Sequence, residues 1–301
     1  PELLPFICQT ERFSEYAITT SAGSLSPRTN WKSLANFEFA LPPLEEQKHL
    51  VALFQTIKST LDKYYTALND AWQLLESNLI TVLDHGKQPL VSPPELPKNW
   101  NYVPLGELIN IKHGYAFQSK YFTDQETDDP ILLTPKNFTE TGTLSFNPKK
   151  TKRYTGSFPQ EYWLSSGDLV ILMTDLTPSA RLLGMPGIIG SIPVLHNQRI
   201  GLIKLKSPQR ITRDFLFFSF LGQQLRRLIR ALATGSTVNH TSPKTIYSLS
   251  IPVPPIKEQE NLTLRWWKIH NSHQEIFSRL EKTRKLLETV REEMLGGRGY
   301  E

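Results

Sequence analysis

One segment of this 301-residue chain occurs twice, and that repetition constrains its architecture more than any other feature. Phe37-Glu38-Phe39-Ala40-Leu41-Pro42-Pro43-Leu44-Glu45-Glu46-Gln47 lies against Leu249-Ser250-Ile251-Pro252-Val253-Pro254-Pro255-Ile256-Lys257-Glu258-Gln259, an offset of 212 residues. The same offset, without a gap, pairs Gly23-Ser24 with Gly235-Ser236, Lys32 with Lys244, Ile57 with Ile269 and Leu74-Leu75-Glu76 with Leu286-Leu287-Glu288. It starts at Pro1 and fades near Gly86. A long internal repeat means one supersecondary unit used twice, so the architecture is to be read from the unit.

After each Pro-Pro the apolar residues follow a four-three spacing. In the first copy the register is Leu50, Phe54, Ile57, Leu61, Tyr64, Leu68, Ala71, Leu75, Asn78 and Val82; in the second, Leu262, Trp266, Ile269, His273, Ile276, Leu280, Thr283, Leu287, Val290 and Met294. Asn78, His273 and Thr283 are polar interruptions that a frayed end or a register-setting contact accounts for. Such a seam over about five heptads predicts two coiled-coil helices of roughly 60 Å that pack on each other. The helix-pairing residues expected are Leu50, Phe54, Ile57, Leu61, Leu68, Leu75, Leu262, Trp266, Ile269, Ile276, Leu280 and Leu287. Pro43 and Pro255 suit the first helical turn, Glu46 and Glu258 the positive helix end, and Gly86 and Gly296-Gly297 the stops. Helices are therefore expected over 43–86 and 255–297. Residues 87–97, with Pro89, Pro93, Pro94 and Pro97, read as a linker. Between lie 98–254, a mixed domain of short strand-like runs: Tyr102–Leu105, Ile131–Leu133, Asp168–Leu172, Gly187–Gly190 and Ile200–Leu205. One helix is expected from Asp214 to about Ala233.

Catalytic motifs are not evident. The only Gly-Lys, Gly86-Lys87, has Thr81 where a phosphate loop needs its first glycine. Gly184, Gly187 and Gly190 lack the strand-turn-helix setting of a dinucleotide site. Glu46-Gln47-Lys48 has the Glu-x-Lys spacing of a nuclease arm, yet its repeat partner Glu258-Gln259-Glu260 lacks the lysine, so a helix N-terminus accounts for it better. His270 and His273 fall within one helical turn but find only Glu275 near ligand spacing. No catalytic residue, metal or cofactor is expected. Cys8, the only cysteine, excludes a disulfide framework, and the longest apolar runs are too short to span a bilayer. Pro1 is followed by Glu2 rather than by a basic and apolar leader, so a soluble, cytoplasmic protein without membrane contact is expected.

The net charge of +5 is unevenly placed. From Lys87 to His240 there are 18 Lys and Arg against 11 Asp and Glu, a net +7; the remainder carries −2. A local positive excess suits a phosphate backbone. Two segments interleave base and aromatic: Lys112-His113-Gly114-Tyr115-Ala116-Phe117-Gln118-Ser119-Lys120-Tyr121 and Lys149-Lys150-Thr151-Lys152-Arg153-Tyr154. The loop Thr234 to Lys244 is rich in donors and follows Arg226, Arg227 and Arg230. The expected contacts are Lys112, His113, Tyr115, Gln118, Lys120, Lys149, Lys150, Lys152, Arg153, Thr237, Asn239, His240 and Lys244. Cations of this kind hold phosphates, while Gln, Asn, His and Arg can read base edges.

The chain resembles the specificity (S) subunits of type I restriction-modification systems. The resemblance is carried by Trp100-Asn101-Tyr102-Val103-Pro104-Leu105-Gly106-Glu107-Leu108 with Gly114-Tyr115-Ala116-Phe117, by Ser166-Gly167-Asp168-Leu169-Val170, by Thr234-Gly235-Ser236-Thr237, and by the doubled Pro-Pro-x-x-Glu-Gln. It implies an α+β fold, a mixed α/β DNA target recognition domain flanked by two long antiparallel coiled-coil helices. It further implies a non-catalytic reader of double-stranded DNA. Each recognition domain reads one half of a bipartite site, the helices set the gap, and methyltransferase (M) and restriction (R) subunits dock around them. Because the repeat pairs Pro1 with Arg213, residues 1–42 are expected to be the C-terminal tail of a first recognition domain, and a homodimer would restore two readers. Two other readings stay open: a fragment of a fused DNA methyltransferase or endonuclease, and a coiled-coil scaffold whose basic domain binds protein.

Overall fold

The computed structural model describes residues 1–22, 28–83, 96–148, 151–235 and 238–296. Its helices are α1 (Leu4–Ile7), α2 (Glu11–Thr19), α3 (Trp31–Leu34), α4 (Leu44–Leu83), α5 (Leu105–Leu108), α6 (Arg213–Leu221), α7 (Gln223–Ala231), α8 (Pro243–Tyr247) and α9 (Ile256–Arg291). The strands are β1 (Asn101–Pro104), β2 (Ile109–His113), β3 (Phe122–Thr123), β4 (Ile131–Leu133), β5 (Lys152–Tyr154), β6 (Trp163–Leu164) and β7 (Leu169–Leu172). They continue with β8 (Thr174–Asp175), β9 (Pro186–Ile188), β10 (Val194–His196), β11 (Ile200–Leu205), β12 (Asn239–His240) and β13 (Ser250–Val253). The fold is mixed helix and sheet with two long helices. It divides into one unit of Pro1–Gln73 with Ile269–Glu301 and a second of Leu74–Lys268.

In the first unit α4 and α9 lie side by side and run antiparallel. Phe54 packs in a cluster with Leu287 and Val290, Ile57 and Leu61 pack with Leu280, and the Trp72 ring meets that of His273 at 5.5 Å. As numbers rise along α4 they fall along α9, which is the signature of opposed directions. Leu3 and Ile7 close the end of this core with Leu50 and Val51. Thr10 caps α2 by accepting from the Phe13 N–H at 3.3 Å, and Asn30 caps α3 by accepting from the Ser33 N–H at 2.8 Å. Where the sequence placed Pro43 in the first turn, the helix begins one residue later. The Pro43 carbonyl accepts the first intrahelical bond, from the Gln47 N–H at 3.0 Å. Pro255 does the same for Gln259.

The second unit holds two larger sheets. One is antiparallel, in the order β2-β11-β7-β9; the other is mixed, β3-β5-β4-β10-β6, with β4 and β10 parallel. Strand β7 is buried along its whole length, which is why Leu169-Val170-Ile171-Leu172 reads as a continuous apolar run. Two-stranded pairs β1–β13 and β12–β8 complete the set. The single helix expected from Asp214 to Ala233 is two, α6 and α7. Gly222 stands between them in an extended conformation (φ −58°, ψ 139°), which ends one helix and starts the next. Phe215, Phe217, Phe218 and Phe220 of α6 are all buried, and Trp266 of α9 packs on Phe215 and Phe218 with centroids at 5.9 and 5.3 Å.

The motifs of the resemblance acquire physical roles here. Asn101 to Pro104 pair with Val253 to Ser250, and Trp100 Nε1–H donates to Glu258 at 3.1 Å, so the start of the domain is tied to the second Pro-Pro motif. Gly167 turns at φ +86°, and Asp168 accepts from the Ser165 N–H at 2.9 Å while pairing with Lys204. Gln259, fully buried, accepts from the Thr212 N–H at 2.9 Å and donates to the Arg210 and Pro254 carbonyls, both at 2.8 Å.

Candidate nucleic-acid interface

The register of the antiparallel sheet fixes where the expected contact segments meet. His113, the last residue of β2, lies opposite Gly201 at the start of β11, and Leu172, the last of β7, lies opposite Ile200. Both strands therefore exit at the same end. Beyond it, the Tyr115 N–H donates to the His196 carbonyl at 2.8 Å and the Met173 N–H to the Arg199 carbonyl at 2.9 Å. Beyond β7, β8 pairs with β12, Thr174 opposite His240 and Asp175 opposite Asn239. The first basic segment and the 234–244 loop thus converge on one end of one sheet.

The second basic segment joins through the other sheet. Phe122 and Thr123 of β3 pair with Tyr154 and Arg153 of β5. Phe117, Leu132, Tyr154 and Leu195 form one buried cluster, against which Tyr115, Phe122, Phe158 and Trp163 pack. The aromatics of the two segments are thus a shared core, with Phe117 and Tyr154 rings at 4.7 Å. Lys112 is exposed, 4.8 Å above the Tyr162 ring, and donates to the Glu161 carbonyl at 3.1 Å. Lys120 is exposed, 4.8 Å above Tyr121. Gly114 is required by close approach: a Cβ there would stand 2.2 Å from the Asn197 carbonyl oxygen.

The individual residues differ in availability. His113, Gln118 and Lys244 are exposed, and Tyr115 is half-buried against Tyr162. Lys152 is met by Asp124, and Arg153 donates to the Asp129 carbonyl at 2.6 Å, so both are tethered within the domain. Asn239 donates to the Thr177 carbonyl at 3.0 Å, and the exposed His240 ring bonds the Thr174 hydroxyl at 2.9 Å. Lys149, Lys150 and Thr237 lie outside the described residues. Arg226, on the helix that precedes the 234–244 loop, is buried and donates to the Leu221 and Arg181 carbonyls; burial and the neighbouring Arg230 lower its pKa to about 10.

The helix-pairing residues separate by unit. Leu50, Phe54, Ile57, Leu61 and Leu280 are buried, with Leu68 and Leu287 half-buried beside them. Leu75 is fully buried in the second unit, where Trp266 has α6 as its partner. Leu262, Ile269 and Ile276 are half-buried; the most buried positions in the first half of α9 are Gln259, Thr263, Trp266 and His270, of which Trp266 was expected and Thr263 and His270 stand one residue past Leu262 and Ile269. Sequence reasoning missed Asp175 and the segment after it. The turn formers Thr177-Pro178-Ser179 between two apolar runs were the available signal. Among the described residues no group of three or more His, Cys, Asp or Glu could hold a metal, and no helix is long and apolar enough to cross a membrane.

Residues 97–293 match the type I restriction modification DNA specificity domain, so the chain belongs to that family. Among proteins it is similar to is the type I restriction enzyme MjaVIII specificity subunit of Methanocaldococcus jannaschii, 27% identical over 260 residues, 83% of this chain and 59% of that one. The EcoBI specificity subunit of Escherichia coli is 24% identical over 202 residues, 65% of this chain and 38% of that one. The chain therefore spans less than two thirds of these curated relatives. The S subunit of a type I restriction-modification system from M. genitalium shares the fold, with a TM-score of 0.60 at 12% identity over 96% of this chain and 73% of that one.

Proposed function

We propose that this chain is the DNA-reading, non-catalytic specificity component of a type I restriction-modification assembly. In this reading residues 98–254 are a complete target recognition domain for one half of a bipartite site in double-stranded DNA. Residues 43–86 and 255–297 are the spacer helices, 87–97 is the linker, and 1–42 is the tail of a first recognition domain. Methyltransferase (M) and restriction (R) subunits dock on it in the cytoplasm, and a second copy of the chain supplies the second reader. The observation that supports this most is that exposed Lys112, His113 and His240 stand at one end of the antiparallel sheet, where Tyr115 bonds the other sheet through His196. Cations there neutralise phosphates, and the side chains between them face the groove.

The test is fluorescence anisotropy on random-sequence duplex DNA across a salt series. Affinity is expected to fall steeply with salt, and Lys149→Ala, Lys150→Ala and Lys152→Ala together are expected to weaken binding to all sequences and flatten the log–log slope by about 2 to 3. An unchanged slope removes that segment from the interface; no binding to duplex DNA at low salt favours the protein-binding scaffold. Sedimentation at micromolar concentration is expected to show a dimer, and a strict monomer would count against the second reader.

A further inference from the structure

The connection that leaves β7 and returns as β9 carries four consecutive exposed residues, Leu176, Thr177, Pro178 and Ser179. They sit at the sheet end that also holds His113, Arg199 and His240. This tip is built rather than slack. The Asp175 side chain, with the residue only 3% exposed, accepts from the Thr177 N–H, the Thr177 hydroxyl and the Leu182 N–H, each at 2.8 Å. Asn239 braces the tip from β12 through its bond to the Thr177 carbonyl. Ala180 takes a left-handed conformation, φ +47°, which a residue with a Cβ adopts only when its surroundings impose it.

So much ordering holds out an apolar side chain, Leu176, 46% exposed, and the hydroxyl of Ser179, 3.3 Å from that of Thr177, which Asp175 already engages. No tip residue carries a charge, whereas Arg181, two residues on, is exposed and lies 3.5 Å from the exposed Glu140. In the DNA-reading proposal phosphates fall to the cations around the tip. The tip itself has the chemistry of base edges: methyl groups to meet a thymine methyl, and a hydroxyl that donates or accepts.

We propose that Leu176 and Ser179 are specificity-determining residues that contact base edges in a groove of double-stranded DNA, with Asp175 as the positioning residue that presents them. This rests on the DNA-reading proposal above. It assigns base discrimination to a segment distinct from the basic ones that supply affinity.

The test is selection of the full chain on duplexes carrying a randomised core, sequenced before and after enrichment, beside anisotropy on the unselected pool. The variant Leu176→Ala/Ser179→Ala is expected to lose base preference at one or two adjacent positions. Its affinity for the best wild-type site should fall about 5- to 100-fold, with the salt slope unchanged. Asp175→Ala is expected to lose preference at the same positions and Asp175→Asn, which keeps one acceptor, to regain part of it. If the double variant enriches the wild-type motif at unchanged base frequencies, the assignment is wrong. If Asp175→Ala abolishes all DNA binding, Asp175 is a general structural residue and its positioning role fails. A wild-type chain that binds the pool yet enriches no motif overturns base reading alone. One that binds no duplex overturns the DNA-reading proposal as well.

Discussion

At the scale of single residues, two buried polar side chains set testable limits on stability. Burial lowers the pKa of His196 from 6.5 to about 4, with Lys112 and His113 adding to the effect and the bond from Nε2–H to the Ile200 carbonyl opposing it. The unfolded chain then takes up a proton between pH 6.5 and pH 4 that the folded chain refuses. The contribution is complete above about pH 6.5 and is lost as pH falls toward 4, by about 3 kcal/mol. Urea midpoints at pH 7, 5.5 and 4.5 should fall accordingly, and His196→Gln should flatten the trend; a variant as steep as wild type would place the proton elsewhere. Gln259→Leu strands the Thr212 N–H and the Arg210 and Pro254 carbonyls, and should cost about 3 kcal/mol in the same assay. How far such residues are legible beforehand is uneven. The repeat singled out Gln47 and Gln259, and Gln47 likewise donates to the Pro42 carbonyl at 2.7 Å. That the carboxamide is needed as donor and acceptor at once depends on Thr212 and Arg210, which no spacing rule brings to it. Asp175 was invisible for the same reason: one carboxylate in an apolar strand run reads as a turn until its three donors are placed.

At the scale of elements, periodicity served well where a helix meets one kind of neighbour and less well where it meets two. Along Leu50 to Leu61 every position of the four-three spacing is buried, under α9 and, at the Leu50 end, also under Leu3 and Ile7, which bury Val51 off the spacing. Along the first turns of α9 the neighbours are α6, whose Phe215 and Phe218 pack on Trp266, and the Arg210–Thr212 backbone, to which the buried Gln259 bonds; Thr263 is buried as well. A scheme that scores only apolar spacing puts Leu262 and Ile269 on the seam together with Trp266, and both are only half-buried. The short strands β3, β6, β8 and β12, two residues each, carry no period at all. Substitution separates the two regimes. Leu280→Glu places a charge among Ile57, Leu61 and Tyr64 and should destabilise the helix pair by about 3 kcal/mol or more. Leu262→Ala, at a half-buried position, should cost about 1 kcal/mol. Thermal melts followed at 222 nm decide it: equal losses in the two variants would mean that the seam continues through Leu262.

At the scale of the molecule, charge placement matters more than the total. A net +5 over 301 residues would be a weak attractant for a polyanion if it were spread evenly. It is instead +7 between Lys87 and His240 and −2 elsewhere, so any phosphate-dependent affinity should be carried by one stretch of the chain. Within that stretch the cations are not equivalent. Lys152 and Arg153 are already held by Asp124 and the Asp129 carbonyl, whereas Lys112 and Lys120 are exposed above tyrosine rings that leave their charge uncancelled. Removing Lys112 and Lys120 together should therefore lower the salt slope of binding to duplex DNA by about 2, one phosphate for each. Lys282→Ala with Lys285→Ala, two exposed cations on α9, changes the net charge of the chain by the same amount and should leave the slope as it is. Anisotropy titrations between 50 and 200 mM salt, roughly the range over which counterion release is readily measured, distinguish a local footprint from a global one. If the two double variants shift the slope equally, the attraction follows total charge, and the basic rim of the second unit has no privileged part in it.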